Sequence, residues 1–182
     1  MQIQMRETKV PGCYEIKVPV FTDKRGVLIK TFQHEAFKEQ NLTNILNESY
    51  YTISQTNVLR GLHFQLPPED HVKIVHCISG DILDVVVDLR VGSPTYGKHE
   101  SFHLTPENAN MVYIPAGLAH GYYVNKGPAI MQYQVSKSYS STHDSGINWR
   151  SVGIPWPEKN PIISEKDKHL KHFDDFQSPF YF

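Results

Sequence analysis

From residue 50 to residue 135 the chain is a series of short runs rich in Val, Ile, Tyr and Phe, separated by clusters of turn-forming residues. The runs span residues 50–56, 71–79, 82–89, 97–104, 111–114, 120–124 and 130–135. β-Branched and aromatic residues at this density predict strands. Between them lie Ser79-Gly80-Asp81, Val91-Gly92-Ser93-Pro94, residues 105–110, Pro115-Ala116-Gly117 and Asn125-Lys126-Gly127-Pro128. These clusters carry the Gly, Pro, Asn and Asp that reverse a chain. Strands this short, with turns this frequent, argue for an antiparallel sandwich or barrel and against βαβ units. Helical signals are confined to residues 35–40 and 164–170, the second with Ser164 at the N-cap position and Asp167 three residues on. No repeat, low-complexity segment or linker divides the chain, so residues 1–182 read as one all-β domain. The tail, residues 172–182, carries five aromatics and is expected to pack on the barrel or on a second subunit.

Alternation along the strands assigns side chains to faces. Ala129, Met131, Tyr133 and Val135 share one parity, while Gln132 and Gln134 share the other. Tyr133 is therefore expected to point inward. Lys73 has the parity of Val75 and Cys77, which predicts an inward lysine. A buried ammonium needs a partner or an anionic ligand. Strict alternation sets Arg60 and His63 on opposite faces. Gly61 between them is where a bulge would re-aim one of the two.

Composition narrows the function classes. A chain of 182 residues with 40% apolar and 20% charged residues is globular and has room for a core. The formal net charge is −1 and no run of Lys and Arg is long, so a nucleic-acid surface is not expected. An anionic ligand has to be met by a few placed cations. The longest apolar stretches are strand-sized, so no membrane span is expected. Residues 1–10 lack the apolar core of a signal peptide, which points to the cytoplasm and to reduced thiols at Cys13 and Cys77. Neither cysteine has CxxC spacing.

The candidate chemistry lies in residues 58–73, where His63 falls between the cations Arg60 and Lys73, and at His120, which ends the turn Pro115-Ala116-Gly117-Leu118-Ala119-His120. A histidine base beside cations that can hold an oxyanion suits removal of a proton next to a carbonyl.

Several segments together resemble one family. They are Phe21-Thr22-Asp23-Lys24-Arg25-Gly26, Arg60-Gly61-Leu62-His63-Phe64-Gln65, Val72-Lys73-Ile74-Val75, residues 84–90, Ser93-Pro94-Thr95-Tyr96-Gly97, residues 114–121, Trp156-Pro157 and residues 163–167. In order and spacing they resemble the dTDP-4-dehydrorhamnose 3,5-epimerase family over roughly residues 10–172. The resemblance implies a cupin-type antiparallel β-sandwich or jelly-roll barrel and a homodimer. It implies epimerisation of a nucleotide-linked 4-keto-6-deoxy sugar, in surface polysaccharide synthesis, without metal or organic cofactor. By position, His63 resembles the catalytic base, Asp167 the carboxylate that orients it, Tyr133 the acid on the other face of the sugar, and Lys73 the group that stabilises the enolate. Arg25, Arg60, Gln65 and His120 are the expected substrate contacts, with Tyr139 as the second candidate for the acid.

The chain departs from the family at Lys30, where a glutamate is usual, which opens the identity of the sugar and of the nucleotide, dTDP or GDP. Inversion at C3 only, 3,4-ketoisomerisation and a non-catalytic sugar-binding module are the alternatives. A metal-dependent cupin oxygenase is disfavoured, because the further ligands that would join His120 are missing. His120 is expected instead to bond inside the barrel, to Asp84 or Asp88, and His99 and His103 read as ordinary packed or surface groups.

Overall fold

The computed structural model describes residues 3–43 and 45–182. Met1 and Gln2, part of the opening segment read above for a signal peptide, lie outside the described residues, as does Asn44.

Antiparallel strands dominate. The chain opens with β1 (Gln4–Glu7) and β2 (Tyr14–Lys17), followed by a separate hairpin of β3 (Val20–Asp23) and β4 (Gly26–Ile29), then the short helix α1 (His34–Glu39). The strands β5 (Glu48–Ser54), β6 (Leu59–Gln65), β7 (Lys73–Asp88), β8 (His99–Leu104), β9 (Asn110–Ile114), β10 (Leu118–Val135) and β11 (Asp144–Gly146) build the sandwich. A single turn of helix, α2 (Glu165–Lys168), closes it.

The two long strands explain the architecture. β7 and β10 pair with each other along their length, but their outer neighbours change half-way. The Lys73–His76 part of β7 is flanked by β9, and the Ile82–Val87 part by β8. Likewise Ala129–Val135 of β10 pairs with β5, whereas His120–Tyr123 pairs with β6. The shared pair thus bends from one layer of the sandwich into the other, and its register shifts where the chain reads Asn125-Lys126-Gly127-Pro128. At the bend, Gly80 has φ +93°, and a Cβ there would meet Ala129 at 2.6 Å. Only glycine fits. The sequence pattern divides each of these strands in two at the turn clusters, whereas backbone pairing carries across both.

Three apolar clusters hold the layers. Val75, Cys77, Val86, Phe102, Met131 and Tyr133 meet inside the sandwich. Val85, Val87, Leu62, Phe64, Trp149 and Phe180 pack beneath the closing segment. Ile16, Ile74, Met111 and Phe37 from α1 form the third. Because both faces of β7 are covered, residues 85–87 are apolar without interruption. Phe180 in the tail stacks edge-on to Phe64 at 5.6 Å, and Phe182 lies under the Arg90 guanidinium. Both cysteines are free and buried. No helix among the described residues is long and apolar enough to cross a membrane.

Candidate active site

One open cavity of about 360 Å³ enters the sandwich between its layers. Its walls include Arg60, His63 and Gln65 from β6, Lys73 from β7, and His120 and Tyr133 from β10.

Arg60 and His63 share this cavity because β6 carries a bulge. His120 pairs with His63 and Tyr122 with Arg60, so three steps along β6 match two along β10. One extra residue reverses the parity of the strand. Gly61 makes the irregularity sterically possible. Its φ is +143°, and a Cβ at this position would meet the Gly121 Cα at 2.7 Å. The conflict posed by strict alternation is thereby resolved at Gly61.

The Nε2 of His63 lies 2.6 Å from Oδ1 of Asp167. Asp167 reaches it from α2, whose first turn is capped by Ser164: the Asp167 N–H donates to the Ser164 hydroxyl at 3.1 Å. The carboxylate can only accept, so the imidazole proton resides on Nε2 and the lone pair on Nδ1. Burial raises the Asp167 pKa, but the bond and charge of His63 and the Gly61 N–H outweigh it, and the net direction is down. Asp167 therefore stays ionised. It is 2% exposed while His63 is 32% exposed, so the pair is anchored below and open above.

Lys73 points into the same cavity, and its Nζ donates to the His63 carbonyl at 3.0 Å. Desolvation pushes its pKa down to about 8, opposed by Asp144 and Asp84 and reinforced by Lys166. Tyr133 is buried, with Gln132 and Gln134 on the opposite, partly exposed face, as the alternation predicts. Burial, then Tyr122 and Tyr50, push its hydroxyl pKa well above 10, so it is a protonated phenol. His120 bonds to Asp84 at 2.7 Å, not to Asp88, which instead accepts from Arg90, Ser93 and Thr95. Arg60 lines the cavity with its Nε held by the Ser54 hydroxyl at 3.0 Å. The Gln65 side chain reaches the cavity wall, but its amide binds the two loops at the rim, donating to the Glu69 carbonyl at 2.8 Å and accepting from Ser140 N at 2.7 Å.

Arg25 is not in this cavity. It lies on the exposed β3–β4 hairpin, forked onto its neighbour Asp23, and within its own chain it does not meet the other expected substrate contacts. A hairpin that pairs only with itself is not drawn toward the pocket. Lys30, just after β4, is likewise exposed and absent from the cavity wall.

Other wall residues carry little sequence signal. Glu48, Tyr50 and Thr52 share one parity of β5, so alternation on that strand is the signal that could have found them. Asp144 and Lys166 form an ion pair of 2.5 Å at the rim, between segments whose proximity no local pattern encodes. Tyr139 also stands at the rim, 64% exposed, donating to Asp144 at 3.1 Å. Among the described residues no three His, Cys, Asp or Glu side chains converge as metal donors.

A family model described as dTDP-4-dehydrorhamnose 3,5-epimerase matches residues 7–175. The chain belongs to the dTDP-4-dehydrorhamnose 3,5-epimerase family. It is 36% identical over 172 residues to the dTDP-4-dehydrorhamnose 3,5-epimerase of Shigella flexneri, covering 93% of this chain and 95% of that one. Among solved structures, the dTDP-6-deoxy-D-glucose-3,5-epimerase of Legionella pneumophila, in complex with dTDP-4-keto-L-rhamnose, superposes with a TM-score of 0.94 at 29% identity over the whole of both chains. A 3'-monoepimerase of Streptomyces bikiniensis in complex with dTDP-quinovose superposes with a TM-score of 0.88 at 28% identity, over 92% of this chain and 87% of that one. The fold of this epimerase-family chain is the all-β, cupin-type jelly roll.

Proposed function

We propose that this member of the family epimerises a dTDP-linked 4-keto-6-deoxy sugar at C3 and C5. The carrying observation is that one cavity is lined by His63, backed by the ionised carboxylate of Asp167, together with a desolvated ammonium at Lys73 and a protonated phenol at Tyr133. The C4 ketone acidifies the protons on C3 and C5. His63 takes one proton through Nδ1, and the imidazolium is stabilised by Asp167. The C–H electron pair becomes the enolate, whose charge at O4 is met by Lys73. Tyr133 then gives its proton to the carbon and O4 returns to a carbonyl. The partly exposed His63 imidazolium releases its proton to water and the phenolate takes one from water, which restores both groups for the second carbon. His63 enters from β6 and Tyr133 from the far half of β10, a placement that supports removal and return on different faces. Tyr133 is favoured over Tyr139 as the acid because Tyr139 is exposed and tied to Asp144.

The proposed assembly is a homodimer. The hairpin shows Phe21, Val27 and Leu28 to solvent, and the outer sheet shows Tyr51, Ile53 and Ile78, more apolar surface than a lone chain needs. Any contact of Arg25 with substrate then has to be made across that dimer. Inversion at C3 alone is the second reading, favoured by the likeness to the 3'-monoepimerase.

Incubation with dTDP- and GDP-linked 4-keto-6-deoxy sugars in D₂O, followed by NMR, tests these readings. The expected result is deuterium at both C3 and C5 of the dTDP sugar. Deuterium at C3 alone selects the second reading, turnover of only the GDP sugar overturns the nucleotide, and no exchange with either removes the carbanion chemistry.

A further inference from the structure

Tyr50 stands directly opposite Tyr133 in the β5–β10 ladder. Their rings lie 9° from parallel with centroids 4.7 Å apart. Tyr133 also meets the His120 imidazole, edge-on at 5.9 Å, and that imidazole is tied to Asp84. The side-chain hydrogen bonds made to Tyr133 reach only its backbone carbonyl, from Ser49 and Gln132. Among the described residues its hydroxyl has no hydrogen-bond partner. The phenol is therefore aimed by contacts on its ring and not anchored by its oxygen. The torsion that sets a tyrosine ring plane is broad by itself, so a neighbour has to define it. Tyr50 does this with a flat face of matching size. It lines the cavity and is 39% exposed, so it stands at the mouth and not in the core.

We infer that Tyr50 is a positioning residue for the acid: its stacked ring sets the plane of Tyr133 and so the point above the sugar ring to which the proton is delivered. The inference rests on the assignment of Tyr133 as the acid. Proton removal by His63 uses neither ring, whereas reprotonation on the other face depends on where the phenol oxygen sits. A misplacement of about 1 Å at a reacting centre can cost about 10²-fold.

The test compares Tyr50→Ala, Tyr50→Leu and Tyr50→Phe with the unaltered protein, using a dTDP-linked 4-keto-6-deoxy sugar in D₂O. Two rates are followed by NMR, entry of deuterium at C3 and C5 and appearance of inverted product. In Tyr50→Ala the exchange rate should fall by no more than about 3-fold while inverted product falls by about 10-fold or more. Tyr50→Leu keeps apolar bulk without the flat face and should behave like Ala, which decides the matter if the alanine variant fails to fold. Tyr50→Phe keeps the stack and should restore most of the ratio of inversion to exchange. An unchanged ratio in the alanine and leucine variants overturns the inference, as does a phenylalanine variant as impaired as alanine. If the unaltered protein exchanges at neither carbon, the proposed function falls and takes this inference with it. If it exchanges and inverts, only the role of Tyr50 is at stake.

Discussion

His63 and Asp167 are 104 residues apart in the chain, and their side chains meet at 2.6 Å. One comes from the bulged strand β6, the other from the single turn of α2 capped by Ser164. The pair gives the imidazole one tautomer and leaves Nδ1 free toward the cavity. Asp167→Asn replaces a pure acceptor with a group that also donates, and should lower deuterium exchange by about 10²–10⁴-fold, as should His63→Asn. NMR exchange rates at both carbons check this, and wild-type rates in either variant would remove the assignment. The depressed Asp167 pKa also has a stability consequence. Its contribution is present above the unfolded value of about 3.9 and is lost as pH falls through the lower folded value. Acid unfolding of Asp167→Asn should be shallower than that of the native chain.

Lys73 titrates within reach of ordinary assays, at about 8. If its ammonium holds the enolate oxygen, kcat/KM should decline as pH rises through about 8. Stability should move the other way. The unfolded lysine, at about 10.4, binds more protons than the folded one between these values, so stability rises with pH across that window. Lys73→Met should be nearly inactive and should lose that rise. Thermal melts at graded pH, set beside a pH–rate profile, test both halves.

Tyr133→Phe keeps the ring, the stack on Tyr50 and the edge contact with His120, and removes only the hydroxyl. Stability should change by less than about 1.5 kcal/mol. Exchange at carbon should persist, because the base does not need that hydroxyl, while inverted product falls by about 10²-fold or more. Equal rates of inversion in the variant and the native protein would move the search for the acid to Tyr139.

Gly61→Ala tests the bulge. The added methyl is directed at the Gly121 Cα, at a φ that L-residues avoid. The expected cost is about 2–4 kcal/mol, read as a lowered midpoint of denaturant unfolding. Activity at low temperature, where the variant is still folded, should also drop, because Arg60 and His63 are both aimed from this point. An alanine variant with native stability and activity would show that the backbone relaxes freely here.

Prolonged chelation should leave both activity and melting temperature unchanged, because His120 spends its Nε2 on Asp84 and no three-donor group converges among the described residues. A loss with EDTA that one added metal restores would return the oxygenase alternative.

Much of this was legible in one dimension, because the signals involved are local. A period-2 alternation reports which face a side chain takes, so Tyr133 and Lys73 could be turned inward from residues 129–135 and 73–77 alone. A Ser three residues before an Asp marks a helix start, so Ser164 and Asp167 were readable in the same way. Turn clusters marked the ends of strands but misled at Ser79-Gly80-Asp81 and Asn125-Lys126-Gly127-Pro128, where the backbone bends without breaking its ladder. β1 to β4, β6 and β11 lay outside the runs read as strands: β3 and β4 are exposed almost throughout and so carry no alternation, β11 has three residues, and the period of β6 is broken by its bulge.

The remainder belongs to the tertiary structure. Alternation alone separates Arg60 from His63, and only the count of residues against β10 reveals the extra one that reunites them. Which carboxylate His120 would choose, Asp84 or Asp88, was open until strand pairing placed Asp84 within reach and gave Asp88 to Arg90. Arg25 keeps its place in the motif, but within one chain it stands outside the cavity that holds Arg60 and His63, because a hairpin paired only with itself follows no neighbour. The stack of Tyr50 on Tyr133 has no sequence mark, since it depends on the register between strands far apart in the chain. Residue type and spacing determine what a side chain can do and which way it leans. Register, bulges and long-range pairing decide which side chains meet, because those are set by energies summed over the whole sheet.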